Sequence, residues 1–192
     1  MKTWTTLALG STLAVGVLAQ QTERPQLMLR VLTEKDVYTL NERVVVKSEL
    51  TNLTTRTLCF PVPDQECETT STGWVVATLE PSNSGEKDSF ICHTDSRGVE
   101  RSKLESDIKN HWVMLSPNAV YTTKAAEMNV TLNVVGDWKL KASYHPPVGA
   151  FSANNEKDLQ SAADGFGCRL PVSTAVAEPK VISVLSKNSK ER

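Results

Sequence analysis

The segment Gly136 to Tyr144, GDWKLKASY, alternates with a period of two: Trp138, Leu140, Ala142 and Tyr144 fall on one side, Lys139, Lys141 and Ser143 on the other. Only an extended strand sends successive side chains to opposite faces. A face of Trp, Leu and Tyr backed by a face of lysines calls for an antiparallel sheet buried on one side and wet on the other, since a sheet covered on both sides reads as a continuous apolar run. Gly136 and Asp137 are turn formers, and they predict a hairpin joining this strand to its predecessor. The same period recurs near the start. In QLMLRVL, Leu27, Leu29 and Val31 oppose Met28, Arg30 and Leu32, and in RVVVKSELTN, Val44, Val46, Ser48 and Leu50 oppose Val45, Lys47 and Glu49.

Between and after these lie further short strand candidates: RTLCF, closed by Pro61 and Pro63, TGWVVATLEP, DSFICHT, HWVMLSP, AVYTTKAAEMNVTLNV and the closing KVISVLS. Prolines at the end of RTLCF stop it, because they cannot donate to a central ladder. The segment EKDVYTLNE reads as a turn. GVERSKLESDIKN admits either a surface loop or a short helix with Leu104 and Ile108 on one side, a spacing of four. From Pro146 to Pro171 the chain is rich in Gly, Ala, Ser, Asn and Asp, a long excursion with room for a turn of helix over NEKDLQSAA. Many short strands bounded by turn formers, without strand-helix alternation or internal repeat, predict an all-β antiparallel sandwich with a long loop insertion before the last strand.

The N-terminal MKTWTTLALGSTLAVGVLAQQ has the three regions of a secretory signal peptide, and Val17 and Ala19 predict cleavage after Ala19. Its apolar part is shorter than the roughly 18 residues a spanning helix needs. The expected organisation is a signal peptide over 1–19, one domain over 20–186 and a basic tail over 187–192, with the mature chain secreted or periplasmic and without a transmembrane anchor. A net charge of −1, from 21 basic and 22 acidic residues, gives no electrostatic reason for binding nucleic acid. The four cysteines, Cys59, Cys67, Cys92 and Cys168, predict two disulfides in an oxidising compartment. Three connectivities are open. Short loop closure favours Cys59 with Cys67 and leaves Cys92 with Cys168.

Residues 38–58, YTLNERVVVKSELTNLTTRTL, resemble the opening of immunoglobulin-like sandwich domains of extracytoplasmic bacterial proteins, with an aromatic residue, a turn containing Glu, a β-branched strand and a strand end containing Asn. Similar openings occur in macroglobulin-type domains and in the small inhibitors named intracellular proteinase inhibitors. Residues 115–144 resemble the second half of such domains, in which a turn with Pro leads to a strand, then a Gly turn, then an aromatic strand ending in Tyr. The resemblance implies an immunoglobulin-like β-sandwich and no particular chemistry. Trp138 stands where many such domains carry Tyr, and the cysteines do not fall on the two strands bridged in antibody-type domains.

No pattern of catalytic, cofactor or metal-binding residues emerges. The histidines, His93, His111 and His145, are not paired at helical spacing, and no cysteine pair has two-residue spacing. Ser82 and Ser84 lack the flanking glycines and following helix of a nucleophile elbow. Asn52-Leu53-Thr54 and Asn129-Val130-Thr131 fit the N-glycosylation triplet. Both are acceptors in a eukaryotic secretory pathway and plain strand-end residues in the bacterial context the resemblance implies. Trp74 and Trp138 read as core, and Trp112 as core or a contact residue. The expected function is non-enzymatic binding of a protein or glycan through loops on a rigid, disulfide-stapled framework, with Val62, Asp64 and Trp112 as candidate contacts. Two rivals remain: a proteinase inhibitor that uses a Cys59–Cys67 loop, and a hydrolase that uses His93 or His111.

Overall fold

A computed structural model of the chain describes residues 25–61, 74–83, 89–90, 103–128, 130–146 and 153–187. It consists mostly of short strands in antiparallel sheets. One sheet is built from β1 (Leu27–Thr33), β3 (Val45–Asn52) and β8 (Val120–Thr122) in the order β1-β3-β8, with β9 (Ala126–Glu127) also on β3. The other runs β2 (Val37–Thr39), β12 (Lys180–Leu185), β10 (Gly136–His145), β5 (Trp74–Pro81), β6 (Ser89–Phe90), with β11 (Ala175–Val176) also on β10. β4 (Leu58–Pro61) and β7 (Trp112–Leu115) form a separate antiparallel pair. Only β2 with β12 is parallel among the described ladders.

The period-two reading places the core correctly. Leu27, Leu29, Val31, Val44, Val46 and Leu50 from the first sheet, and Leu79, Trp138, Leu140, Ala142, Tyr144, Ile182 and Val184 from the second, belong to one buried cluster. Each sheet therefore turns its apolar face to the other, which removes both faces from water without a covering helix layer. Trp138 is fully buried, and its indole N–H donates to the Val134 carbonyl at 3.0 Å.

The hairpin expected at Gly136 does not form. β10 pairs with β5, β11 and β12 and not with the chain that precedes it. Met128 and residues 130–134 instead leave the first sheet, where the Met128 N–H donates to the Val44 carbonyl, and lead towards the second, where the Leu132 carbonyl accepts from the Asn41 N–H. Met128, Val130 and Leu132 point inward along the way and close one side of the core. The end of the strand candidate AVYTTKAAEMNVTLNV thus serves as a crossing segment. Gly136 has φ +130, a conformation glycine adopts freely, and starts β10 there.

One other segment differs from expectation, and two are specified further. EKDVYTLNE is not only a turn, because Val37–Thr39 lies alongside β12 and buries Tyr38. GVERSKLESDIKN holds helix α1 (Leu104–His111), whose first turn carries Glu105 and Asp107 and whose last carries Lys109 and His111, each sign at the end the helix dipole favours. Leu104 and Ile108 are its buried residues. The long excursion carries α2 (Ala153–Gly165), considerably more than one turn.

Candidate functional site

β4 is the strand on which the features outside the main core converge. All of its residues are buried. Leu58 and Phe60 enter the main core, whereas Cys59 enters a second cluster with Leu104 of α1, Leu159 and Ala163 of α2, Cys168 and Leu170, with Trp112 and Ala162 packed partly against it. Two insertions far apart in sequence therefore meet on one side of β4.

Cys59 bonds to Cys168 across a separation of 109 residues, with a Cα–Cα distance of 5.7 Å. This corrects the expected Cys59–Cys67 bridge. Loop-closure entropy ranks pairings in the unfolded chain, but a bond forms only where the folded backbone brings two Cβ atoms together. Here the chain after α2 runs beside β4: the Cys59 N–H donates to the Arg169 carbonyl at 2.8 Å and the Arg169 N–H to the Thr57 carbonyl at 2.9 Å. The end of α2 aims the chain into that place. Gly167, at φ +71, donates to the Asp164 carbonyl, and the Cys168 N–H donates to the Ala163 carbonyl at 3.1 Å. That pair of bonds is a Schellman motif, and it needs a left-handed residue at the position Gly167 fills. With Cys59 and Cys168 joined, Cys67 with Cys92 is the sole complementary pairing. Cys67, Cys92, Val62, Asp64, His93 and Asn129 lie outside the described residues.

Asn52, the last residue of β3, is fully buried. Its Nδ2 donates to the carbonyls of Arg56 and Leu115, both at 2.8 Å, and its Oδ1 accepts from the N–H and the hydroxyl of Thr54, both at 2.8 Å. The triplet that matches a glycosylation acceptor is thus an internal brace between the β3–β4 turn and β7, with its amide nitrogen turned away from solvent. Thr54, the third residue of the triplet, is part of that brace.

The braced turn forms one wall of an open cleft of about 360 Å³. Thr54, Thr55 and Arg56 come from the turn, Gln160 from α2, Arg169 from the chain beside the disulfide, and Gln26 from the approach to β1, over a floor that includes Leu58 and Leu170. Gln26 ties two of these parts together, because its Oε1 accepts from the Val172 N–H at 2.7 Å. A second cleft of about 300 Å³ lies beside Asn41, Glu42, Arg43, Glu127 and Thr131, but there Arg43 is already paired with Glu127. Sequence reasoning passed over both arginines of the first cleft, since they lie 113 positions apart and neither belongs to a motif.

Trp112 is half-buried against the second cluster, and its indole N–H donates to Asp107 of α1 at 3.0 Å. His111 is exposed at the end of α1. Ser143 Oγ and His145 Nε2 are 3.0 Å apart, a contact that sequence reasoning did not single out. Ser143 stands in mid-strand, opposite Val76 on one side and Val176 on the other. Neighbouring ladders occupy both edges there, and a nucleophile elbow needs a sharp turn with free N–H groups beside it. No described helix is long and apolar enough to cross a membrane.

No protein-family model and no curated protein matches this chain. Among solved structures, the crystal structure of the CARDB domain of a Pyrococcus furiosus protein in complex with di-metal ions is 14% identical, with 85% of this chain and 96% of that one covered and a TM-score of 0.38. A solution structure of the same domain is 12% identical, with coverages of 84% and 95% and a TM-score of 0.36. A β-glucosidase of Erythrobacter marinus is 13% identical over 83% of this chain but only 15% of its own length, with a TM-score of 0.37.

Proposed function

We propose that the mature chain is a secreted or periplasmic, non-enzymatic binding domain: a disulfide-stapled, immunoglobulin-like β-sandwich that presents one braced surface to a protein or glycan. Two sheets facing a common core support the sandwich. A disulfide between two buried cysteines supports an oxidising compartment, and with it the cleavage of residues 1–19 as a signal peptide. The observation that carries the binding reading is the cleft beside β4. Turn, helix and post-helix segment, remote in sequence, are locked there by the Asn52 brace and the Cys59–Cys168 bond. Rigid segments lose less entropy on binding, so such a construction suits recognition. Trp112 lies close in sequence to this framework and remains part of the proposed contact surface. The inhibitor reading loses its basis, because Cys59 is bonded to Cys168 and does not close a loop with Cys67.

The test is to recover the native protein from medium or periplasm and sequence its N-terminus, then measure retention of the purified mature chain on immobilised material from its native surroundings. A start at Gln20 and saturable retention, lost when Thr55 on the cleft rim is changed to Trp, are expected. Retention that does not saturate, or that ignores the substitution, would refute this reading.

A further inference from the structure

We infer that the cleft beside β4 is a site for an oxyanion carried on a small hydroxylated ligand, an acidic sugar being the chemistry that fits it; this rests on the binding reading above. Several cations on this surface have carboxylate partners. Arg30 pairs with Glu49, Lys35 with Glu42, Arg43 with Glu127, Lys141 with Glu80 and Lys180 with Asp36. Of the described arginines, Arg56 alone has no carboxylate within ion-pair distance among the described residues. Arg169, on the facing part of the same cleft, reaches only Asp164, at 3.6 Å and with both side chains about half exposed. Asp164 is in turn engaged by Gln160 Nε2 at 3.0 Å. Two guanidiniums thus share one open cleft with a single, loosely held counter-charge, and an incoming oxyanion supplies what the protein omits. Guanidinium presents a planar fork of donors that matches carboxylate and related oxyanions.

The uncharged lining points to the rest of the ligand. Thr54 Oγ1 is committed to Asn52 and Arg56, and Gln26 Oε1 to Val172. The Thr55 hydroxyl and the Gln26 amide NH2 have no partner among the described residues, so they offer hydrogen bonds to hydroxyl groups. Leu58, Leu170 and Val172 supply an aliphatic surface for the C–H face of a ring. The volume of about 360 Å³ lies within the range of small-molecule sites, roughly 300–1,000 Å³. The wall carrying Arg56 is held by Asn52, and the wall carrying Arg169 by its backbone bonds to Thr57 and Cys59. Neither needs to be ordered by the ligand.

The experiment is isothermal titration of the disulfide-intact mature chain with a uronic-acid disaccharide, with the matching neutral disaccharide and with inorganic sulfate, repeated for Arg56→Gln and Arg169→Gln. Saturable one-to-one binding of the uronate is expected, weakened about tenfold or more by each substitution, with an unchanged urea midpoint for both variants and little response to the neutral sugar. Sulfate binding as tightly as the uronate, with the same dependence on Arg56, would keep the oxyanion site and overturn the sugar. Absence of binding by all three, or uronate binding indifferent to Arg56→Gln, would overturn the inference as a whole. Saturable retention on native material would survive that failure and keep the binding reading separate from it.

Discussion

Replacing Asn52 by Ala removes one side chain and four hydrogen bonds from the junction of β3, β4 and β7. The bond to the Leu115 carbonyl is buried, and losing its donor exposes no water to replace it. An unsatisfied buried acceptor costs roughly 1–3 kcal/mol, so about 2 is assigned here. The remaining bonds are partly accessible, and the Thr54 hydroxyl, whose one hydrogen serves either Oδ1 or the Arg56 carbonyl, is free to donate to that carbonyl once Oδ1 is gone, so together they contribute about 1 kcal/mol. The expected loss is about 3 kcal/mol, a large share of the roughly 5–15 kcal/mol by which domains of this kind are stable. Urea unfolding followed by tryptophan fluorescence should show the midpoint fall with the slope unchanged, and the melting temperature should fall by about 6–12 °C. Asn52→Asp should be at least as damaging, since it replaces a donor facing the Leu115 carbonyl by an acceptor. A loss under about 1 kcal/mol for Asn52→Ala would show that the brace is not load-carrying and that the cleft wall is ordered by other contacts. The same geometry predicts that folded protein from a glycosylating host carries no sugar on Asn52, which intact-mass measurement before and after deglycosylation of the Asn129→Gln variant would check.

Other outcomes follow from single features. Peptide mapping without reductant should recover Cys59 joined to Cys168 and Cys67 joined to Cys92, and the double change of Cys59 and Cys168 to Ala should lower stability by about 5 kcal/mol, as expected for a closed loop of this length; a Cys59–Cys67 peptide would contradict the placement of the chain after α2. Tyr144 is fully buried with no partner for its hydroxyl among the described residues, so Tyr144→Phe should leave stability at pH 7 unchanged or raise it by up to about 1 kcal/mol, and a loss larger than that would reveal a partner for the hydroxyl. Burial holds the Tyr144 hydroxyl well above its ordinary value of 10.0, so its contribution is complete below pH 10. Above that the unfolded chain ionises first, and stability should fall by about 1.4 kcal/mol per pH unit for this group. Tyr144→Phe should make that alkaline decline shallower, and an identical decline in both proteins would count against the assignment. Gly167→Ala meets no atom within 4 Å, so its cost is backbone strain alone, about 1–2 kcal/mol by urea unfolding, with Gly167→Asn costing less.

Residues whose environment is set by their own strand were legible from sequence. The alternation in β1, β3 and β10 gave the correct inward face at each position from Leu27 to Val31 and from Trp138 to Tyr144, because burial on one sheet face enforces a period of two. What pairs with what was less legible. Met128, Val130 and Leu132 alternate as a strand would, yet they cross between sheets, since an inward-pointing row serves a crossing segment as well as a ladder. The second cluster was invisible for the same reason: Leu104, Leu159 and Cys59 come from three segments, each too short or too polar to announce a core.

Asn52 shows most directly how one triplet carries two meanings. Asn followed two positions later by Thr is what a glycosylating enzyme reads, but it is also what an Asx-type turn requires, because Oδ1 can accept from the N–H and hydroxyl of the residue two positions on. The choice between them depends on whether Nδ2 faces water or faces carbonyls. Here it faces the carbonyls of Arg56 and Leu115, the second of them 63 positions away, and nothing local in LTNLTTRTL specifies that distant partner. The same turn places Arg56 at the cleft, so the residue that looked like a modification site is the one that fixes where the unpaired guanidinium stands. Structure and recognition meet at this turn because a polar group was retained in a buried strand end, where an apolar residue would have satisfied the alternation but left the turn free.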